Sequence, residues 1–156
     1  MIKRLIFILL IFPSLCWAGG SRDFQSADTD FVRITDAASI DMGTSDFTLA
    51  TWVKTSTANT FMNVLCKGDT NASDFACSGN DNDEGYAIRT ASADGAITFY
   101  IADSDVSFTV TTGVTQIDDG SWHFVLITAD RDGNANIYVD NMTTSDANAS
   151  ISEQAL

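Results

Sequence analysis

Alternation of apolar and polar residues, cut at short intervals by Asp, Gly and Asn, is the feature that most limits what this chain can fold into. Phe47-Thr48-Leu49-Ala50-Thr51-Trp52-Val53-Lys54 puts Phe47, Leu49, Thr51 and Val53 on one face of a strand, and Trp52 with Thr48 and Ala50 on the other. Residues 122–128 and 135–140 are two nearly continuous apolar runs. Between them Asp130-Arg131-Asp132-Gly133-Asn134 is a turn by composition, so the pair predicts a hairpin. In the first run Trp122, Phe124 and Leu126 face one way, and His123, Val125 and Ile127 the other. A strand apolar on both faces is central in its sheet or covered by a second layer. Further strands are expected at residues 31–34, 61–66, 86–90, 97–101 and 106–112, with Asp94-Gly95 marking a hairpin turn that needs positive φ. Seven or eight short strands, with no helical periodicity after the N-terminal segment, predict an all-β antiparallel sandwich of two sheets.

The charges agree. Of 21 acids 19 are Asp, a turn residue and poor helix former, and only Glu84 and Glu153 complete the set. A net charge of −13 leaves no basic stripe for phosphates or anionic lipid, which argues against a nucleic-acid or membrane-surface partner.

Residues 1–18 read as an export signal. Lys3 and Arg4 precede an apolar run over residues 5–12, Pro13 and Ser14 break it, and Cys16-Trp17-Ala18 offers small residues for cleavage before Gly19. The run is far shorter than the roughly 20 residues a membrane span needs. Lipidation at Cys16 is the rival reading, disfavoured by Leu15 before it. Cleavage would leave a mature domain of residues 19–156, secreted into an extracellular or periplasmic space and not inserted in a membrane. Two cysteines would remain there, Cys66 and Cys77, expected to form a disulfide; a thiol metal site is the poorer alternative without a nearby His. Cys77 falls in the longest irregular stretch, residues 68–85, which also holds Asp69, Asp74, Asp81, Asp83 and Glu84.

The run Asp119-Gly120-Ser121-Trp122-His123-Phe124-Val125-Leu126-Ile127-Thr128-Ala129-Asp130, followed by Asn136-Ile137-Tyr138-Val139-Asp140-Asn141, resembles the LamG-like jelly-roll family of laminin-G, pentraxin and concanavalin A-like sandwiches. Asn141 stands where the family pattern has Gly, and Asn tolerates the left-handed backbone best among other residues. Asp28-Thr29-Asp30-Phe31-Val32-Arg33-Ile34, the strand from Phe47 to Lys54, Val64-Leu65-Cys66-Lys67-Gly68-Asp69 and Gly85-Tyr86-Ala87-Ile88-Arg89 are similar to further family strands in the same order. Together they cover roughly residues 24–145. The resemblance implies a jelly roll continuing past the Tyr-Val-Asp strand, so a sandwich lacking its last strands is expected from a chain that ends at Leu156.

It also implies a secreted binding or adhesion module recognising carbohydrate or a cell-surface partner. Some folds of this group are glucanases, which retain two carboxylates about 5–5.5 Å apart. Here the two Glu are far apart in sequence, and no Asp set with the needed spacing lies on a predicted strand, so no enzyme is expected. His123, with no nucleophile beside it, reads as structural. A rim calcium is frequent in the family, and Ca²⁺ prefers the oxygen ligands that Asp-rich loops supply. Asp28 with Asp30, and Asp81 with Asp83, are the candidate ligands; solvated turn acids are the plainer alternative. For a sugar platform the aromatics are Trp52, Trp122, Tyr86, Tyr100 and Tyr138, each expected in the core because it lies in a strand. Phe75 is the aromatic expected nearest the surface. The acidic balance disfavours anionic glycans. A spacer in a larger extracellular protein is the alternative function, and a glycoside hydrolase the distant one.

Overall fold

The computed structural model describes residues 24, 32, 34, 35, 37–57, 60, 62–68, 85–91, 95–102 and 107–152. The chain divides into two units, residues 1–36 and 37–156. In the first, Val32 and Ile34 are exposed and lie in no strand, which corrects the expectation at residues 31–34. A β-prone tetrad becomes a strand only where a neighbour takes its backbone hydrogen bonds, and propensity does not supply the neighbour.

In the second unit a 3-10 turn at Ala38–Ile40 precedes eight strands: β1 (Phe47–Lys54), β2 (Asn63–Gly68), β3 (Gly85–Thr90), β4 (Ala96–Ala102), β5 (Ser107–Gln116), β6 (Trp122–Ala129), β7 (Asn134–Val139) and β8 (Ala147–Ser150). They form two antiparallel four-stranded sheets, ordered β1-β6-β7-β8 and β2-β3-β4-β5. The fold is the expected all-β sandwich, and β6 is central in its sheet.

Both predicted hairpins form, for the reasons the turns suggest. Between β6 and β7 the Gly133 N–H donates to the Asp130 carbonyl at 3.0 Å, and the Asp130 N–H to the Asn134 carbonyl at 3.1 Å. The Asp130 carboxylate also accepts the Asp132 N–H at 3.2 Å. Between β3 and β4, Gly95 takes φ 63°, and a Cβ there would lie 2.3 Å from Cγ of Asp118. The left-handed backbone favours glycine there, and a Cβ would in addition have to displace the Asp118 side chain.

Strand β8 has no counterpart in the sequence reading, because Ala-Asn-Ala-Ser carries no β-branched or aromatic residue. It is defined by its neighbours. Its register with β7 runs from Asn134↔Ser150 to Ile137↔Ala147, and Ile151 just beyond it is fully buried. The Ile151 N–H donates to the Gly133 carbonyl at 2.9 Å, tying the end of β8 to the β6–β7 turn.

The core lies between the sheets. Phe47, Leu49, Val125, Ile127, Ile137 and Val139 from the first meet Ile88, Ile97, Phe99, Ile101 and Val110 from the second. The Phe47 ring sits 5.3 Å from Tyr86 and 6.3 Å from Phe99, centroid to centroid. Each such side chain fully buried contributes about 1.5–3 kcal/mol. With Phe47 and Leu49 of β1 and His123, Val125 and Ile127 of β6 turned inward, the alternate residues of those strands must face out.

Candidate functional site: an exposed aromatic face

Those outward residues are unusually aromatic. Trp52 on β1 is 62% exposed and Trp122 on β6 is 48% exposed, which corrects their expected place in the core. Tyr86 and Tyr100 are buried as expected, Tyr138 is half-buried, and Phe75 lies outside the described residues. Aromatic content alone suggested burial; period-2 alternation decides otherwise, since Phe47 and Leu49 occupy the inward register of the same strand.

The β1–β6 register sets Lys54 opposite Trp122, Trp52 opposite Phe124, Ala50 opposite Leu126 and Thr48 opposite Thr128. On β7, Tyr138 lies opposite Leu126 and Asn136 opposite Thr128. The Trp52 and Phe124 rings are 5.3 Å apart and tilted by 52°, a favourable aromatic pairing. The Asn136 side-chain amide donates to the Thr128 hydroxyl at 3.4 Å. The face therefore runs from Lys54 and Trp122, through Trp52 and Phe124, then Leu126 and Tyr138, to a polar end at Thr48, Thr128 and Asn136. A shallow hollow of about 400 Å³ opens at that end, lined by Asp46, Phe47, Thr48, Thr128, Ala129 and Asp130.

On the inward side of β6, His123 is nearly buried and spans two carboxylates. Its Nδ1 is 2.7 Å from Oδ2 of Asp140, and its Nε2 is 3.1 Å from Oδ1 of Asp119. Asp140 also uses Oδ1 to accept the Phe124 N–H at 2.8 Å, while its own N–H donates to the Phe124 carbonyl at 2.9 Å. Asp119 Oδ1 accepts the Ser121 N–H at 2.7 Å. Burial works against the imidazolium, but hydrogen bonds to Asp119 and Asp140 outweigh it and hold the His123 pKa above its ordinary value. Hydrogen bonding to His123 first, and to the Ser121 N–H next, lowers the Asp119 pKa. The Asp-Gly-Ser-Trp-His and Tyr-Val-Asp segments are thus two halves of one clasp. The positive-φ residue of the second half is Asp140 at φ 55°, not Asn141. Asn141 instead caps the following turn, its side-chain carbonyl accepting the Thr143 N–H at 2.9 Å and hydroxyl at 2.7 Å.

The candidate calcium ligands Asp28, Asp30, Asp81 and Asp83 all lie outside the described residues, as does Cys77; Cys66 sits exposed on β2. Among the described residues no group of three or more His, Cys, Asp or Glu side chains could hold a metal ion.

Comparison with known proteins places this geometry. The family model Laminin_G_3, described as the concanavalin A-like lectin/glucanases superfamily, matches residues 26–153. No curated protein matches the sequence. Among solved structures, the binding domain of Paraclostridial Mosquitocidal Protein 1 matches with a TM-score of 0.57 at 17% identity, over 77% of this chain. This chain spans 29% of that structure's length, so the likeness is one of fold.

Proposed function

The chain belongs to the concanavalin A-like lectin/glucanases superfamily, and from that premise we propose that it is a secreted, non-catalytic binding module that takes a carbohydrate or an extracellular protein on the outer face of the sheet β1-β6-β7-β8. The observation that carries this reading is the exposure of Trp52 and Trp122 on one sheet face. Exposed indole is costly to keep in water and is the side chain most enriched where binding energy concentrates. The matched mosquitocidal-protein structure is itself a binding domain, which supports the same reading by analogy.

A non-catalytic role is supported by the wide separation of Glu84 and Glu153 in the chain and by the full engagement of His123 between two carboxylates. Export rests on residues 1–18, and the Cys66–Cys77 disulfide on the oxidising compartment that export implies. A rim calcium, with Asp28 and Asp30 or Asp81 and Asp83 as candidate ligands, belongs to the same reading and rests on sequence alone.

A glycan array probed with the purified protein beside Trp52→Ala tests the proposal. Ligand-specific retention that the substitution abolishes is expected. Retention unchanged in Trp52→Ala would move the site elsewhere, and release of reducing sugar from a β-glucan panel would reinstate the hydrolase.

A further inference from the structure

We infer that the ligand of the aromatic face is an extended, uncharged polysaccharide, gripped along its interior units and without calcium; this rests on the reading of that face as the binding site.

Shape is the first ground. Trp122, Phe124 and Leu126 occupy alternate positions on β6, so they follow one another at about 7 Å along the strand. Trp52 stands beside the second position and Tyr138 beside the third. From Trp122 to Thr128 the face runs about 20 Å, with Trp52 and Trp122 exposed and Phe124, Leu126 and Tyr138 half-buried. A single sugar would cover one step of it; several rings in line would use them all.

Chemistry is the second ground. Aromatic rings take the apolar C–H faces of sugar rings, and the polar groups along the face take hydroxyls. Those groups are Lys54 at one end and Thr48, Thr128 and Asn136 at the other, mostly neutral donors and acceptors.

Charge disfavours two of the occupants. A chain of net −13 repels an anionic glycan and equally repels a second copy of itself, and Lys54 is the single cation set along the face among the described residues. Calcium has no part in this grip: Asp140 spends one carboxylate oxygen on the Phe124 N–H and the other on His123, Asp46 and Asp130 at the polar end accept the N–H groups of Arg131 and Asp132, and among the described residues no three such side chains gather to hold a metal ion.

The test is isothermal titration of the purified protein with neutral β-linked gluco- and xylo-oligosaccharides of increasing length, in chelator and in calcium. Affinity electrophoresis in the parent polysaccharides and in alginate accompanies it. Affinity is expected to rise about tenfold or more from the disaccharide to the longest oligomer, to be the same in chelator, and to fall about tenfold in each of Trp52→Ala and Trp122→Ala. Unfolding temperatures of the two variants guard against simple misfolding, and Trp52→Phe, which keeps a ring, recovers part of the loss. Loss of binding in the tryptophan variants, but with equal affinity for monosaccharide and oligomer or with preference for alginate, overturns this inference and leaves the site standing. Binding abolished by chelator and indifferent to both tryptophans overturns the site as well. Retention by none of these glycans overturns the inference, and a protein ligand lost in Trp52→Ala would then be the occupant.

Discussion

His123 is the only histidine in the chain, so its titration can be followed without ambiguity. Its folded-state pKa lies above the ordinary 6.5, so the stabilisation it brings is fully present below that value and is lost as pH rises through the folded pKa. Asp119 runs the other way: its pKa lies below 3.8, so its contribution is present above 3.8 and is lost as pH falls through the depressed value. The clasp is therefore strongest in mildly acidic solution. Proton NMR of the imidazole should give a single midpoint above 6.5, and the unfolding temperature should decline as pH is raised through it. In His123→Gln that decline should vanish; a midpoint at or below 6.5 would show that burial wins over the two carboxylates. Asp140→Ala, which strips the bonds to His123 and to the Phe124 N–H, should cost about 1–3 kcal/mol in denaturant unfolding. The same scale separates face from core. Trp52→Ala loses one ring pairing and should cost no more than about 1.5 kcal/mol, whereas Phe99→Ala, at a fully buried position, should cost about 3–5 kcal/mol. Equal costs would mean that the aromatic face is part of the fold's own packing.

Elements differ in how plainly the sequence announces them. Strands β1, β6 and β7 and both hairpins are legible because alternation, Asp-Gly chemistry and length all favour the same structure, and Gly95 at φ 63° is where the turn rule placed it. The orientation of Trp52 was equally legible, since it shares a strand with Phe47 and Leu49 at odd spacing. What misled was residue type, because a tryptophan in a strand is ordinarily buried. Strand β8 was illegible for a different reason: Ala-Asn-Ala-Ser has no local preference for extension, and only pairing with β7 and the anchor at Ile151 make it a strand. Ile151→Ala should cost about 2–5 kcal/mol despite lying outside any strand, and amide exchange in residues 147–150 should accelerate more than in β6. Uniform exchange across β6, β7 and β8 in the variant would show that β8 has stability of its own. The clasp was half legible: Asp119, His123 and Asp140 are visible as motif letters, but that one imidazole joins both halves is a fact of register between β6 and β7.

For the molecule as a whole, the excess of 21 acids over eight bases sets how it responds to salt. Like charges spread over one small sandwich repel, and screening them favours the compact state; the Debye length falls to about 10 Å at 0.1 M salt. Unfolding temperature should therefore rise with sodium chloride over the dilute range and level off near physiological strength. This gives the proposed rim calcium a clean test, because divalent ions screen as well as bind. At matched ionic strength, a site that takes calcium only in the folded state adds about 2.7 kcal/mol at a hundredfold excess over its dissociation constant, and screening adds nothing further. If Asp28, Asp30, Asp81 and Asp83 hold calcium, the unfolding temperature at physiological salt should rise again on adding calcium and fall back with chelator. Substituting Asn for Asp81 and Asp83 together should remove that second rise while leaving the response to sodium chloride intact. A calcium effect that disappears once ionic strength is matched would make all four ordinary solvated turn acids. The aromatic face, which calls on none of them, should bind its glycan equally in either case.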